Sequence, residues 1–511
     1  MAPEVELKLE VPPCGSRKLE RDGAGRRARR QDLVSVYFDT ARHKLHKHGL
    51  SLRVRHVGNK RIQILKANGQ WAAGLARRDE WEKPIERDRP DLRAFRHTPL
   101  APLLGKKLAH ALKPVFQTRV RRTIVPLDRG ESQVDLTLDR GEVRRGAKSA
   151  RINEVELELK RGHTADLLHA ARDVWEGVPV QFAVRSKADR GYDLVAGRPA
   201  TAVRAQPILL APKILAAEAF RAIALACVHQ VAANAPAVSA ADPEGVHQMR
   251  VGLRRLRAAM SVFSGMLGDP QSESIKEGLK WITGELGPAR DVDVYIKSIT
   301  TCIEPLRRRV SDSDLHRLQH ELEAWRAEMF ERAKQAVGSP RYGRLILDTL
   351  GWVVDGDWTS SDDPRVCALR ERPVDDFARQ ELGRRAAKVG KRAKKIAKLA
   401  PRKRHKLRIA AKKLRYAAEF FRSLFARRKP RKRLRQYVRR LKSLQDCLGA
   451  LNDITVHREL ARDFVRERAR QRQSAFAIGV VSREEESRTG PLCDGAVAAA
   501  AKLAKARPFW I

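Results

Sequence analysis

Acidic residues are the scarce class in this chain: 61 Asp and Glu stand against 104 Lys and Arg, for a formal charge of +43 over 511 residues. A charge that far from zero repels itself and calls for a polyanionic partner such as nucleic acid, polyphosphate or an anionic membrane. Aromatic residues are also few, at 5%. They are not interleaved with the basic segments, so base stacking lacks its platform and nucleic acid is disfavoured as the specific partner. Six cysteines, at 14, 227, 302, 367, 447 and 493, are scattered singly without a CxxC pair. That pattern supports neither a zinc site nor a disulfide framework, and fits a reducing cytoplasm. No run of about 18 apolar residues is expected to cross a membrane. The start MAPEVELKLEV carries charge where a signal peptide needs an apolar stretch. The expectation is a soluble cytoplasmic chain with no membrane partner. A GxxxxGK[ST] loop is lacking, as is a nucleophile arrangement of the Ser-His-Asp or Cys-His kind.

What is present is enough apolar material, 42%, for two or three domains with cores. From Met1 to about Val195 the apolar pattern has period two, as in EVELKLEV, SLRVRHV, RIQILK and INEVELELK. Such alternation is the strand signal and predicts an antiparallel sheet, closed into a barrel. After VAGRPATAVRAQP the period becomes helical and stays so to the carboxyl terminus. The predicted fold class is α+β in two domains: a β domain over 1–198, a linker over 199–211, and an all-α domain over 212–507.

The helical half contains a repeat. HQMRVGLRRLR at His247 returns as HKLRIAAKKLR at His405, and LGPARDVDV at Leu286 returns as LGALNDITV at Leu448. Two copies of one bundle are expected, over approximately 212–350 and 365–507. On a helix, His247, Arg250, Arg254 and Arg257 fall within an arc of roughly 80°, with Arg255 at its edge. Met249, Leu253, Leu256, Met260 and Phe263 point the other way. The second copy places His405, Arg408, Lys412 and Arg415 on the matching face, with Leu407, Leu414, Ala418 and Phe421 toward the core. Exchange of Arg for Lys between copies suits a ligand read by charge, as a chain of phosphates is. A solvated basic face is the bland reading of one such helix, and recurrence of the whole constellation weakens it. Asp291 and Asp453 each follow a Leu-Gly step and are expected as helix N-caps or first-turn acids, or as acids that hold a neighbouring basic side chain in place.

These repeated segments resemble the CHAD domain, a two-repeat helical bundle, over roughly 207–507. The resemblance implies binding of inorganic polyphosphate through His247, Arg250, Arg254, Arg257, His405, Arg408, Lys412 and Arg415, which would line a common positive groove or pore.

In the strand half, EVELK sets Glu4, Glu6 and Lys8 on one face, and EVELELK does the same for Glu154, Glu156, Glu158 and Lys160. Aligned carboxylates repel unless a cation sits among them, and hard divalent ions prefer such oxygens. Arg53 with Arg55, Lys66, Arg119 with Arg121, and Lys187 supply positive charge on other strands. For any single strand a solvated polar face is the simpler reading.

The ordered set EVELK, VYFDT, SLRVR, ILK, RDEWE, FQTRVRR, LDRGEV, INEVELELK and RSKADRGYDL resembles the CYTH family, the triphosphate tunnel metalloenzymes, over about 3–195. The resemblance implies an eight-stranded β-tunnel with a charged interior. It places Glu4, Glu6, Glu154 and Glu156 toward a Mg²⁺ or Mn²⁺ ion, and Lys8, Arg53, Arg55, Lys66, Arg119, Arg121 and Lys187 toward phosphates. Gln133 with Asp135, and Ile64, depart from the residues usual at those places. The implied activity is hydrolysis of inorganic triphosphate or a related triphosphate by water. The competing expectation is a non-catalytic polyphosphate-binding or granule-associated protein with a weak or inactive tunnel.

Overall fold

A computed structural model of the chain describes residues 4–23, 28–67, 70–72, 74–177, 180–197, 201–301, 311–394, 396–467 and 472–511. Cys302 lies outside the described residues. The chain divides into two compact units: residues 1–203 with 228–236 and 338–355, and residues 204–227 with 237–337 and 356–511.

The first unit is built on one antiparallel sheet. Its strands are β1 (Glu4–Glu10), β2 (Arg29–Asp39), β3 (Leu50–Val57), β4 (Lys60–Ala67), β5 (Gln70–Ala72), β6 (Leu75–Arg78), β7 (Glu80–Pro84), β8 (Lys113–Arg129), β9 (Ser132–Arg145), β10 (Lys148–Arg161) and β11 (Gln181–Phe182). Eight contiguous strands, in the order β1-β10-β9-β8-β2-β3-β4-β7, make the wall. The sheet has eleven strands rather than eight because β6 and β11 pair with β1, and β5 follows β6. With that edge of β1 occupied, no backbone ladder joins β7 to β1 among the described residues. The two ends meet through Lys66 of β4, whose Nζ lies 3.0 Å from Glu4 of β1 and 2.5 Å from Glu80 of β7.

Strand alternation sorts the side chains in an unusual sense. One face of β1, β3, β4 and β10 buries Leu7, Leu9, Leu52, Val54, Leu65, Val155 and Leu157. Leu52, Val54 and Leu65 pack there with Leu45, Leu92 and Phe95 from covering segments. The charged residues take the opposite, enclosed face. Helix α1 (Lys187–Ala196) adds an apolar plug, Ala188 and Tyr192, against Tyr37, Phe116 and Val120.

The second unit is helical. Its four relevant helices are α2 (Pro243–Val262), α3 (Pro270–Thr301), α4 (Pro401–Phe420) and α5 (Arg428–Glu467). Helix α2 packs on α3 and α4 on α5, and the pairs join α2 to α4 and α3 to α5. This is the arrangement expected of two copies of one hairpin. Met249, Leu253, Leu256, Met260 and Phe263 are buried, as are Leu407, Leu414, Ala418 and Phe421. Asp242 caps α2 by accepting a hydrogen bond from Glu244 N at 2.9 Å, with Pro243 at the first helical position. The expectation that Asp291 and Asp453 begin helices is wrong. Both lie inside long continuous helices, α3 and α5, because the Leu-Gly steps before them are tolerated without a break. Segment Ala216–Ser239, with mean hydropathy 1.3, does meet the length and composition of a membrane crossing. Most of it is buried, with Phe220, Ile223, Val228 and Val231 fully inaccessible, which is how a core helix packs.

Candidate functional site

The enclosed face of the sheet lines a cavity of about 510 Å³. Register carries the charges there in matched rows: Lys8 lies opposite Glu156, Glu6 opposite Glu158, Glu158 opposite Asp135, and Arg122 opposite Asp139. On the other side Tyr37 lies opposite Arg53, Ser51 opposite Lys66, and Lys66 opposite Glu80. Lys187 reaches the cavity by a different route, as the first residue of α1. That helix starts there because Ser186 and Asp189 form a reciprocal capping box, Asp189 N donating to Ser186 Oγ at 3.1 Å and Ser186 N to Asp189 Oδ2 at 3.0 Å.

One part of the cavity is a network of paired charges. Lys187 Nζ sits 2.7 Å from Glu154, 2.8 Å from Glu156 and 2.9 Å from Asp139. Lys8 donates to Glu156 at 2.6 Å, and Arg122 bridges Asp139 at 2.6 Å and Glu156 at 3.0 Å. Burial works against the charge on Glu156, but Lys187, Lys8 and Arg122 outweigh it and hold the carboxyl well below its usual range. Asp139 is lowered in the same way by Lys187 and Arg122. Burial alone would depress Lys187, and Asp139, Glu154 and Glu156 reverse this and raise it.

Another part keeps buried donors unused. The Nε atoms of Arg53 and Arg55 are buried without a hydrogen-bond partner among the described residues. Arg53 donates from Nη1 to Tyr37 Oη at 3.0 Å. Burial, then Arg53 and Arg122, push Arg55 down to about 10. A buried guanidinium with unused donors is a receptor for an oxyanion.

Most of the residues expected in this site converge: Glu4, Glu6, Lys8, Arg53, Arg55, Lys66, Glu154, Glu156 and Lys187 share the enclosed face. Arg119 and Arg121 do not. Phe116, Thr118, Val120 and Arg122 take the inward positions of β8, so the residues between them face out. Arg121 pairs at 3.4 Å with exposed Asp32, and both arginines line a separate cavity of about 890 Å³ with Arg30 and Arg140. Arg122 is the inward arginine, and Phe116 and Val120 share its parity in FQTRVRR. Tyr37, Glu80 and Asp139 are the other site residues not assigned from sequence, although VYFDT, RDEWE and LDRGEV contain them; strand alternation does place Glu158 beside Glu154 and Glu156, but the resemblance does not number it among the metal ligands.

The carboxylates divide into two groups. Glu154 and Glu156 are wrapped by Lys187, Arg190, Lys8 and Arg122. Glu158 behaves differently: burial pushes its carboxyl up, against Lys160, and Glu4 and Glu6 add repulsion in the same direction. Three crowded carboxylates, oxygen donors only, fit a hard divalent cation. No three ligating side chains are already gathered in coordinating geometry among the described residues. Each of the three also has a lysine beside it, Lys66 at 3.0 Å from Glu4, Lys8 at 3.3 Å from Glu6 and Lys160 at 2.6 Å from Glu158. Glu154 and Glu156 are wrapped by more cations, so the donor chemistry fits a metal best through Glu4, Glu6 and Glu158.

In the helical unit, the basic faces of α2 and α4 line a cavity of about 870 Å³ containing His247, Arg250, Arg254, Arg257, His405, Arg408 and Lys412. Arg415 does not line it: it is paired with Glu419 at 2.6 Å and Gln445 at 2.8 Å, beside a second cavity. Arg255 stacks over Phe420 as part of the core. His405 Nδ1 is 2.6 Å from Asn452. Asp291 lies 3.6 Å from Arg250, and burial with the repulsion of Asp453 raises its carboxyl despite that arginine. Arg254, Arg408 and Lys412 form no ion pair among the described residues, and the Nε atoms of both arginines are buried without a partner. Burial, helped by Arg254 and opposed by Asp453 and Asp291, depresses Arg408. Burial first, then Arg408 and Arg254, bring Lys412 down to about 7.

A sheet with a charged interior, followed by a duplicated helical bundle with a basic cavity, defines the class. Residues 2–192 match the CYTH domain and residues 222–462 the CHAD domain. The chain belongs to the proteins that join a CYTH domain to a CHAD domain. It is 30% identical to an inorganic triphosphatase of Haemophilus influenzae over 196 residues, 38% of this chain. The chain spans about half the length of that curated relative, 55%. A crystal structure of the CHAD domain from the plant Ricinus communis is 29% identical and superposes with a TM-score of 0.50, covering 60% of this chain and 98% of that one.

Proposed function

We propose that the charged tunnel is the active site of a metal-dependent phosphoanhydride hydrolase acting on inorganic triphosphate or a related triphosphate, and that the cavity of the helical unit binds inorganic polyphosphate. The observation that carries this reading is the division of charge within one tunnel: Arg53 and Arg55 keep buried donors unused, while Glu4, Glu6 and Glu158 crowd together on β1 and β10. The name of the Haemophilus relative supports the choice of triphosphate.

Arg53 and Arg55 bind phosphate oxygens, and Tyr37 orients Arg53. Lys8, Lys187 and Arg122 hold Glu156 ionised and in place. Positive charge fixed in a buried site stabilises charge that develops as the terminal phosphoryl leaves. A Mg²⁺ or Mn²⁺ ion held by Glu4, Glu6 and Glu158 would supply Lewis-acid charge to the same oxygens when bound. Attack by water is the simplest step for such a site.

A second reading, a non-catalytic polyphosphate-binding protein, has its own support. Lys8, Lys66, Lys187 and Arg122 are already ion-paired and would have to exchange carboxylates for phosphates. A phosphate-release panel of tripolyphosphate, ATP, thiamine triphosphate and long-chain polyphosphate, with and without Mg²⁺ or Mn²⁺, separates the two. Release from tripolyphosphate that is lost in Glu4→Ala and Glu6→Ala supports hydrolysis. A folded, metal-supplied chain that releases phosphate from none of them leaves only the binding role. In a cell, the chain would gather on cytoplasmic polyphosphate granules, which a fluorescent fusion would show.

A further inference from the structure

Lys412 stands apart among the lysines of the helical unit. It lines both the 870 Å³ cavity and a neighbouring cavity of about 710 Å³, so its amine sits in the wall between two accessible spaces. It forms no hydrogen bond or ion pair among the described residues. Arg408 and Arg415 flank it on α4 and Arg254 approaches from α2, while Asp453 of α5 is the carboxylate that acts most strongly against them. By contrast Lys413, the next residue, donates to Ser261 at 3.1 Å, and Lys429 and Lys432 are exposed to solvent.

A half-buried ammonium hemmed in by guanidinium groups is destabilised by lost hydration and by like-charge repulsion, and both favour the neutral amine. The shift of Lys412 down to about 7 is the expected consequence. A lysine desolvated beside other cations is the activated form of this nucleophile. The same cavity is built to draw in phosphate groups. An electrophile that carries its own phosphate would therefore be concentrated at the reactive amine.

We propose that Lys412 is a modification site, at which a small acyl phosphate docks by its phosphate and transfers its acyl group to Nζ, and that the amide so formed weakens polyphosphate binding in this cavity. In the step, Nζ attacks the carbonyl carbon and a C–N bond forms. The C–O bond to phosphate breaks, and phosphate leaves with that electron pair. The proton lost from the nitrogen accompanies it, giving hydrogenphosphate. Arg254 and Arg408 stabilise the departing charge. No oxidant or reductant is needed. Acylation removes one positive charge from the wall that the two cavities share.

This inference rests on the reading of the cavity as a phosphate site, and the experiment separates the two. The full chain is incubated with acetyl phosphate, and acetylation is followed lysine by lysine with peptide mass spectrometry. Parallel arms use acetic anhydride, which has no phosphate, and acetyl phosphate with excess tripolyphosphate. Lys412 should be acetylated at least ~10-fold faster than Lys429 and Lys432, since a neutral amine is more abundant there near pH 7.5. Its lead should be smaller with the anhydride, and tripolyphosphate should suppress it about fivefold or more, as mass action on a shared site requires. The acetylated chain should bind long-chain polyphosphate about tenfold more weakly, the effect of losing one close charge. A K412R chain should keep its affinity through the same treatment. If polyphosphate binds but Lys412 reacts with acetyl phosphate no faster than Lys429 and Lys432, the inference is overturned and the cavity reading stands. If polyphosphate does not bind, both fall together.

Discussion

The tunnel and the helical cavity are both rich in cations, yet they handle them in opposite ways. In the tunnel, Lys8, Lys66, Lys187 and Arg122 are met by carboxylates on neighbouring strands. In the helical cavity, Arg254, Arg408 and Lys412 have no such partners among the described residues, and Lys412 gives up much of its charge instead. The difference teaches what each place is suited to do. Interleaved acids and bases form a fixed field that can hold a metal and stabilise a particular distribution of charge. A cluster of cations that outnumbers its two acids, Asp291 and Asp453, stores repulsion that any polyanion relieves, which favours holding over chemistry.

The strongest way to break this comparison is to remove a central tunnel cation. Lys187→Met should leave Asp139, Glu154 and Glu156 short of a partner and cost about 3–5 kcal/mol, the usual result of breaking a buried network from one side. The expected outcome is a lowered melting transition for the β unit and loss of triphosphate hydrolysis, with polyphosphate affinity unchanged. Equal weakening of both activities would show that the two sites are not independent.

Next in size is the paired substitution Arg254→Ala with Arg408→Ala. Polyphosphate affinity should fall by about two orders of magnitude, and the slope of log affinity against log salt should become shallower by about two. Hydrolysis of tripolyphosphate should be retained. An unchanged salt slope would remove these residues from the site.

A pH series sharpens the contrast with a smaller effect. Lys412 titrates near 7 in the free chain, and a bound polyanion favours its charged form, so its pKa rises on binding. Below about 7 the amine is charged in both states and affinity is full. Above it, binding must take up a proton, and affinity falls by up to about tenfold per pH unit until the bound-state value is reached. The K412R chain, which stays charged, should show a flatter profile in a titration from pH 6 to 9.

The smallest effect should come from the arginines that face out of the β unit. Arg121→Ala should change hydrolysis by less than about threefold, as exposed charges contribute little. Arg122→Ala should abolish it, because Arg122 bridges Asp139 and Glu156. The reverse order would mean that the inward register of β8 is wrong.

Much of the candidate site is legible in the order of residues. The strand period carries Lys8, Arg53, Arg55 and Lys66 to one face, and the repeat at His247 and His405 carries the basic faces of α2 and α4. Arg122 is obscured because FQTRVRR offers three arginines, and only its pairing with Asp139 and Glu156 shows which of them is inward. Glu158 does not stand out beside Glu154 and Glu156, since three carboxylates at equal spacing look alike along a strand. Their partners tell them apart, and those partners come from β1 and α1.

By itself the sequence determined the two periods, the duplication, the excess of positive charge and the strand faces on which acids and bases alternate. These are local properties, set by spacing along the chain. Only the tertiary structure decided how many cations each carboxylate meets, where Asp291 and Asp453 lie within their helices, and which cations of the helical cavity are without an ion-pair partner among the described residues. Pairing depends on which strands and helices become neighbours, and electrostatic energy depends on distance and burial, neither of which the order of residues specifies directly.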